Sequence, residues 1–189
     1  MHDDTKTIKL NEEIKLKYEK IEQRLPHYTD AKTLFEGLLS QMAEEFAIPY
    51  IWLTFTDREE QAGLTGLLSA SPQIKDRLKI LGESSFLELF ENKDTSLLVN
   101  EDLRPFYRLL PPNVKYFIRS LAIAPIRIDG RLWGSLNCGD ASNLRYQPGM
   151  DTSLLDRLAG QVSDRLAAIM DSERTTSSDS ENAQETHKG

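Results

Sequence analysis

The chain has 189 residues, 39% of them hydrophobic and 28% charged, enough for one domain with a buried core and appendages. Its net charge of −7 argues against a non-specific nucleic-acid binder, which needs a basic face, and against docking on an anionic membrane. No apolar run approaches the roughly 20 residues of a membrane-spanning helix, the start MHDDTKTIKLNEE lacks the order of a signal peptide, and one cysteine excludes an internal disulfide, so a bacterial-type cytoplasm is expected.

Leu10, Ile14, Tyr18, Ile21 and Leu25 recur at helical spacing, with charges elsewhere and Pro26 as a stop. This predicts a helix over 10–25 with one narrow apolar seam. Residues 1–28 are therefore expected to form an N-terminal dimerisation arm; the alternative is that the helix folds back on its own domain. A second helix is predicted from Asp30 to Phe46, capped by Thr29 or Asp30, with a wider face of Ala31, Leu34, Phe35, Leu38, Met42 and Phe46. Pro49 follows, and YIWLTFT (50–56) has the aromatic and β-branched content of a strand. Ile51, Leu53 and Phe55 point to one face, Trp52 and Thr54 to the other.

DREEQAGLTG (57–66) reads as a loop, Ser71 to Gly82 as a short helix, Ser84 to Asn92 as one or two helical turns, and SLLVN (96–100) as a short strand. Residues 101–117 show no clean period. SLAIAPIRIDGRLWGSLNCGD (120–140) reads as a hairpin, because Asp129-Gly130 suits a two-residue turn with positive φ. Alternation places Leu132, Gly134, Leu136 and Cys138 on one side of its second strand, and Trp133, Ser135 and Asn137 on the other. A last helix is predicted from Thr152 to Met170, with Leu155, Leu158, Ala159, Val162, Leu166 and Ile169 as its stripe. Residues 171–189 carry almost no apolar side chain and are expected to be disordered. The core domain thus spans 29–170, and the element order indicates an α+β fold with an antiparallel sheet.

The segments Ser120-Leu121-Ala122, Pro125, Gly130-Arg131, Gly134-Ser135-Leu136-Asn137, Gly139, Arg145 to Met150 and Leu158-Ala159 carry a resemblance. In these residues the chain resembles the GAF-domain superfamily, and within it the bacterial domain-of-unknown-function family numbered 484. The resemblance implies an antiparallel sheet with N- and C-terminal helices on one face and irregular segments with short helices on the other. In many relatives that irregular roof encloses a pocket. Relatives bind cyclic nucleotides, bilins, haem or amino acids, or only dimerise.

Catalytic and metal constellations are not found in the sequence. Cys138 shares an apolar strand face, where a thiol behaves as a small hydrophobe. GAF-type methionine-sulfoxide reductases work through several cysteines, and this chain has one. Its histidines, His2, His27 and His187, lack metal-site spacing, and no nucleophile elbow or phosphate loop is present. No cofactor is implied.

The remaining candidate is a ligand-binding face on the roof side of the sheet. Trp52 offers a stacking surface, and Thr54, Ser135 and Asn137 offer hydrogen-bonding groups; Ala122 and Ala124 are expected to leave space beside them. Tyr107 and Arg119, from the irregular segment, are expected to close over an anionic group. The alternative is that roof side chains fill this space. The functional expectation is a non-enzymatic sensor or interaction module, a homodimer signalling through an unknown protein partner and able to hold a small molecule. The alternatives are an enzyme on a small polar metabolite, oriented by Asn137, Arg119 and Tyr107, or a purely structural adaptor.

Overall fold

The computed structural model describes residues 2–90 and 93–185. Helix α1 (His2–Glu22) is followed by a 3-10 turn at Leu25–His27, which holds Pro26. Helix α2 (Ala31–Phe46) starts at Asp30, whose carboxylate accepts the Thr33 N–H at 2.8 Å. This satisfies one of the amides that a helix start leaves without a partner. Leu34, Phe35, Leu38, Leu39 and Met42 are buried along it, and it ends at Ala47, whose φ is +49°.

Strand β1 (Tyr50–Thr56) leads through a 3-10 turn to α3 (Ala62–Ser69), then to β2 (Leu78–Leu81) and α4 (Glu83–Phe90). Strand β3 (Leu97–Val99) precedes an irregular stretch with one 3-10 turn, then the hairpin β4 (Ser120–Ile128) and β5 (Arg131–Asp140). Helix α5 (Ser153–Glu185) closes the chain. The sheet order is β2-β1-β5-β4-β3. Asp129 and Gly130 have φ of +51° and +74°, the conformation that a tight hairpin turn asks of both central residues.

Two segments differ from expectation. The stretch expected to be a loop holds most of α3, and the short helix expected from Ser71 gives way to β2, which pairs parallel to β1. The sheet is therefore mixed at one edge. A parallel neighbour needs a crossover, and α3 is that crossover. Gly63 and Gly66 weaken its intrinsic helical signal, while burial of Leu64, Thr65 and Leu68 holds it in place.

The sheet separates two cores. On one face, α1, α2, α3 and α5 bury Leu38, Phe35, Leu158 and Leu166 against Leu53, Phe55, Ala124 and Ile126. On the other, α4 and the 103–118 segment bury Phe86, Phe90, Leu109 and Ile118 against Trp52, Leu121 and Ile123. The register slips between Ile126 and Arg127, which face Gly134 and Leu132, so Trp133 is the extra residue of a β-bulge. The bulge corrects the alternation read from sequence. Trp133 packs in the helical core, and Leu132 in the roof core.

Helix α5 also runs past Met170, into the segment expected to be a disordered tail; residues 186–189 lie outside the described residues. Residues 171–176 are exposed, and the hydroxyls of Ser172, Thr175 and Thr176 donate to carbonyls one turn back, at 2.9, 3.0 and 2.9 Å. Helix α1 seats its C-terminal half on its own domain. Ile21 and Leu25 are buried, and Arg157 of α5 grips Glu22 with two hydrogen bonds of 2.8 and 3.0 Å.

Candidate functional site

The roof face holds four of the six predicted residues together. Trp52 stands opposite Asn137 and Thr54 opposite Ser135 across the β1–β5 ladder, and direct partners share a face. Thr54, Ser135 and Asn137 have no exposed surface, and Trp52 is 1% exposed. Asn137 donates from Nδ2 to Thr54 Oγ1 at 3.0 Å and accepts at Oδ1 from the Ser135 hydroxyl at 2.8 Å. The Trp52 indole N–H donates to the Leu109 carbonyl at 2.9 Å, tying the sheet to its roof. These polar groups satisfy one another, beneath Phe86, Phe90 and Leu109.

Tyr107 and Arg119 are not drawn in. Both are exposed; Tyr107 lies under the Lys115 ammonium at 4.7 Å, and Arg119 donates only its backbone N–H, to Asp140 O at 2.8 Å. Among the described residues, no hydrogen bond, ion pair or ring contact links either of them to the four. Ala122 and Ala124 lie on the opposite face from the one expected. They stand against Cys138 and Leu136, because cross-strand register, which sequence alternation does not give, sets which residues are neighbours.

That register brings small residues together on the helical face, and space opens there. A cavity of about 250 Å³ is lined by Ala122 and Cys138 from the sheet, Tyr18 from α1, Leu155 from α5, and Tyr146 and Met150 from the segment between β5 and α5. Tyr18 leans on Phe46 with ring centroids 4.7 Å apart. Arg145 fastens the segment, donating to Asp140 Oδ2 at 2.8 Å, to Ala47 O at 3.0 Å and to Phe46 O. Its charge is thereby paired.

Electrostatically the cavity favours neutral groups. Burial pushes the Cys138 thiol up to about 12, against smaller opposing pulls from the Arg145 charge and the Tyr146 hydroxyl. Burial likewise raises the phenols of Tyr146 and Tyr18 above their usual range. Among the described residues, the buried Tyr146 hydroxyl oxygen has no partner within hydrogen-bond geometry, the Cys138 thiol being only a weakly interacting neighbour. The sequence names Tyr18 only as part of a stripe and Tyr146 only as part of the link into the last helix. Their convergence rests on the Ala122–Cys138 pairing.

Among the described residues, no three His, Cys, Asp or Glu side chains gather as a metal site. His187, Asn92 and the side chain of His2 lie outside the described residues. No helix among the described residues is long and apolar enough to cross a membrane.

Residues 30–166 match the family model of the GAF domain. The chain belongs to the GAF domain family. GAF domains are a common kind of sensor or ligand-binding module, generally regulatory in role. Solved GAF structures share the fold. The GAF domain of a phosphoenolpyruvate-protein phosphotransferase from Acinetobacter is 14% identical, with a TM-score of 0.56 over 80% of this chain and 91% of that one. Its counterpart from Coxiella burnetii is 13% identical, with a TM-score of 0.54 over 86% of this chain and 95% of that one. A free methionine-R-sulfoxide reductase from Neisseria meningitidis, solved with its substrate, is 14% identical, with a TM-score of 0.52 over 82% of this chain and 89% of that one. No curated protein matches the chain.

Proposed function

We propose that this GAF domain is a non-catalytic cytoplasmic sensor or interaction module that self-associates through its helical layer and passes its signal to a protein partner. The observation that carries the reading is α1. Its C-terminal half is seated on α2 and α5, yet Ile8, Leu10 and Leu16 are 57, 56 and 63% exposed. Leu10 continues the stripe of Ile14, Tyr18 and Ile21 past the edge of the domain, Ile8 and Leu16 add apolar surface on other sides of the same helix, and apolar surface left in water suits pairing with a second copy. The non-catalytic part is supported by Cys138, which is buried, neutral at physiological pH and without a second cysteine for a thiol–disulfide cycle.

Sedimentation velocity across the micromolar range tests the reading. The parent protein is expected to be dimeric and a Leu10→Glu/Leu16→Glu variant monomeric with the same helical content. A parent protein that is monomeric at high micromolar concentration overturns it.

A further inference from the structure

We propose that the cavity on the helical face of the sheet binds a small, neutral, mostly apolar molecule carrying one hydrogen-bond acceptor. This site lies across the sheet from the roof face that sequence reasoning selects, and it does not depend on self-association. Three observations converge on it.

The first is space. An apolar cavity of about 150 Å³ suffices for benzene, so the 250 Å³ found here has room for about ten non-hydrogen atoms. The floor owes its depth to Ala122 and Cys138, which face each other across β4 and β5 where larger residues would fill the gap. Leu98, Met150 and Thr152 line this cavity and also a surface depression of about 650 Å³ along β3, which supplies a way in.

The second is polarity. The Tyr146 hydroxyl, buried without a partner, is the feature of this wall that asks for a hydrogen bond. The neighbouring Cys138 thiol pulls on the hydroxyl but is a weak hydrogen-bonding group outside hydrogen-bond geometry, so that demand is only partly met. A carbonyl or ether oxygen accepting from the Tyr146 hydroxyl would meet it.

The third is charge. Arg145, the cation on the lining, is already bonded to Asp140 and to two backbone carbonyls, so an incoming carboxylate finds no free counter-charge. The burial that disfavours ionised Cys138, Tyr18 and Tyr146 disfavours an ionised ligand equally.

The test uses the full chain and three probes of about nine non-hydrogen atoms, the size that the cavity argument allows. These are acetophenone, which carries one acceptor; cumene, its hydrocarbon counterpart; and benzoate, its charged counterpart. In amide NMR titrations acetophenone and cumene are expected to saturate, with shifts centred on Ala122, Cys138 and Tyr146, and benzoate is not. Tyr146→Phe is expected to weaken acetophenone about five- to tenfold and to leave cumene unchanged, since only the ketone loses a partner. Ala122→Leu, which fills the floor, is expected to abolish both. Absence of saturable acetophenone binding, shifts centred on the roof face, or equal losses for acetophenone and cumene in Tyr146→Phe would overturn the proposal. Should Ala122→Leu fail to fold, the Tyr146→Phe comparison decides alone.

Discussion

Asn137 must satisfy an amide with both donor and acceptor ends in an interior from which solvent is shut out, and Thr54 and Ser135 supply its partners. Replacing it strands two hydroxyls as well as leaving a void. Asn137→Ala is accordingly expected to cost about 2–3 kcal/mol, read as a lower urea midpoint at unchanged slope. Cys138, a small side chain in the opposite core, poses a different question. Its thiol, pushed up to about 12 by burial, stays protonated at pH 8. A charged aromatic disulfide reagent should therefore label it no faster than the protein unfolds, and the rate should climb with urea. Rapid labelling in the absence of urea would contradict the buried, neutral thiol.

At the scale of elements, α2 depends on its first turn. The Thr33 backbone N–H holds the Asp30 carboxyl below its usual range, with the Thr33 hydroxyl adding to the effect. A carboxyl depressed in the folded state stabilises that state above its ordinary pKa and ceases to as pH falls through the folded-state value. Asp30→Ala should cost about 1 kcal/mol at pH 7, and the gap from the parent protein should narrow below about pH 4. Urea midpoints at pH 7 and pH 3 make the comparison. Helix α5 shows the converse, a long element that runs on past the apolar stripe of its first half. Residues 171–176 are exposed, so ending the chain at Met170 is expected to move the thermal midpoint by less than about 2 °C. A larger fall would mean that the extension packs on the domain.

Across the whole molecule, the parts legible in sequence are those whose signal is local. Alternation in YIWLTFT, the Asp129-Gly130 turn and the stripes of α2 and α5 each specify an element within a few residues, and the fold contains all of them. Strand β2 is four residues long and exists as a strand because β1 lies beside it, while α3 carries two glycines; neither advertises itself. The site follows the same division. Trp52, Thr54, Ser135 and Asn137 could be gathered from alternation, but whether space remained above them depended on Phe86, Phe90 and Leu109, which come from segments without a period. The helical-face cavity was hidden for a related reason. It arises from which small residue meets which across β4 and β5, a long-range fact.

The displaced residue in β5 has an experimental consequence. It sends one indole to each side of the same sheet, Trp52 among the roof residues and Trp133 among the helices, so the protein carries an emitter in each of its two hydrophobic layers. Trp52→Phe and Trp133→Phe would each silence one of them. Because β1, β4 and β5 belong to both layers, the surviving emission in either variant is expected to change at the same urea concentration as the far-ultraviolet circular dichroism of that variant. Emission that changes earlier in one variant would identify the layer that melts first.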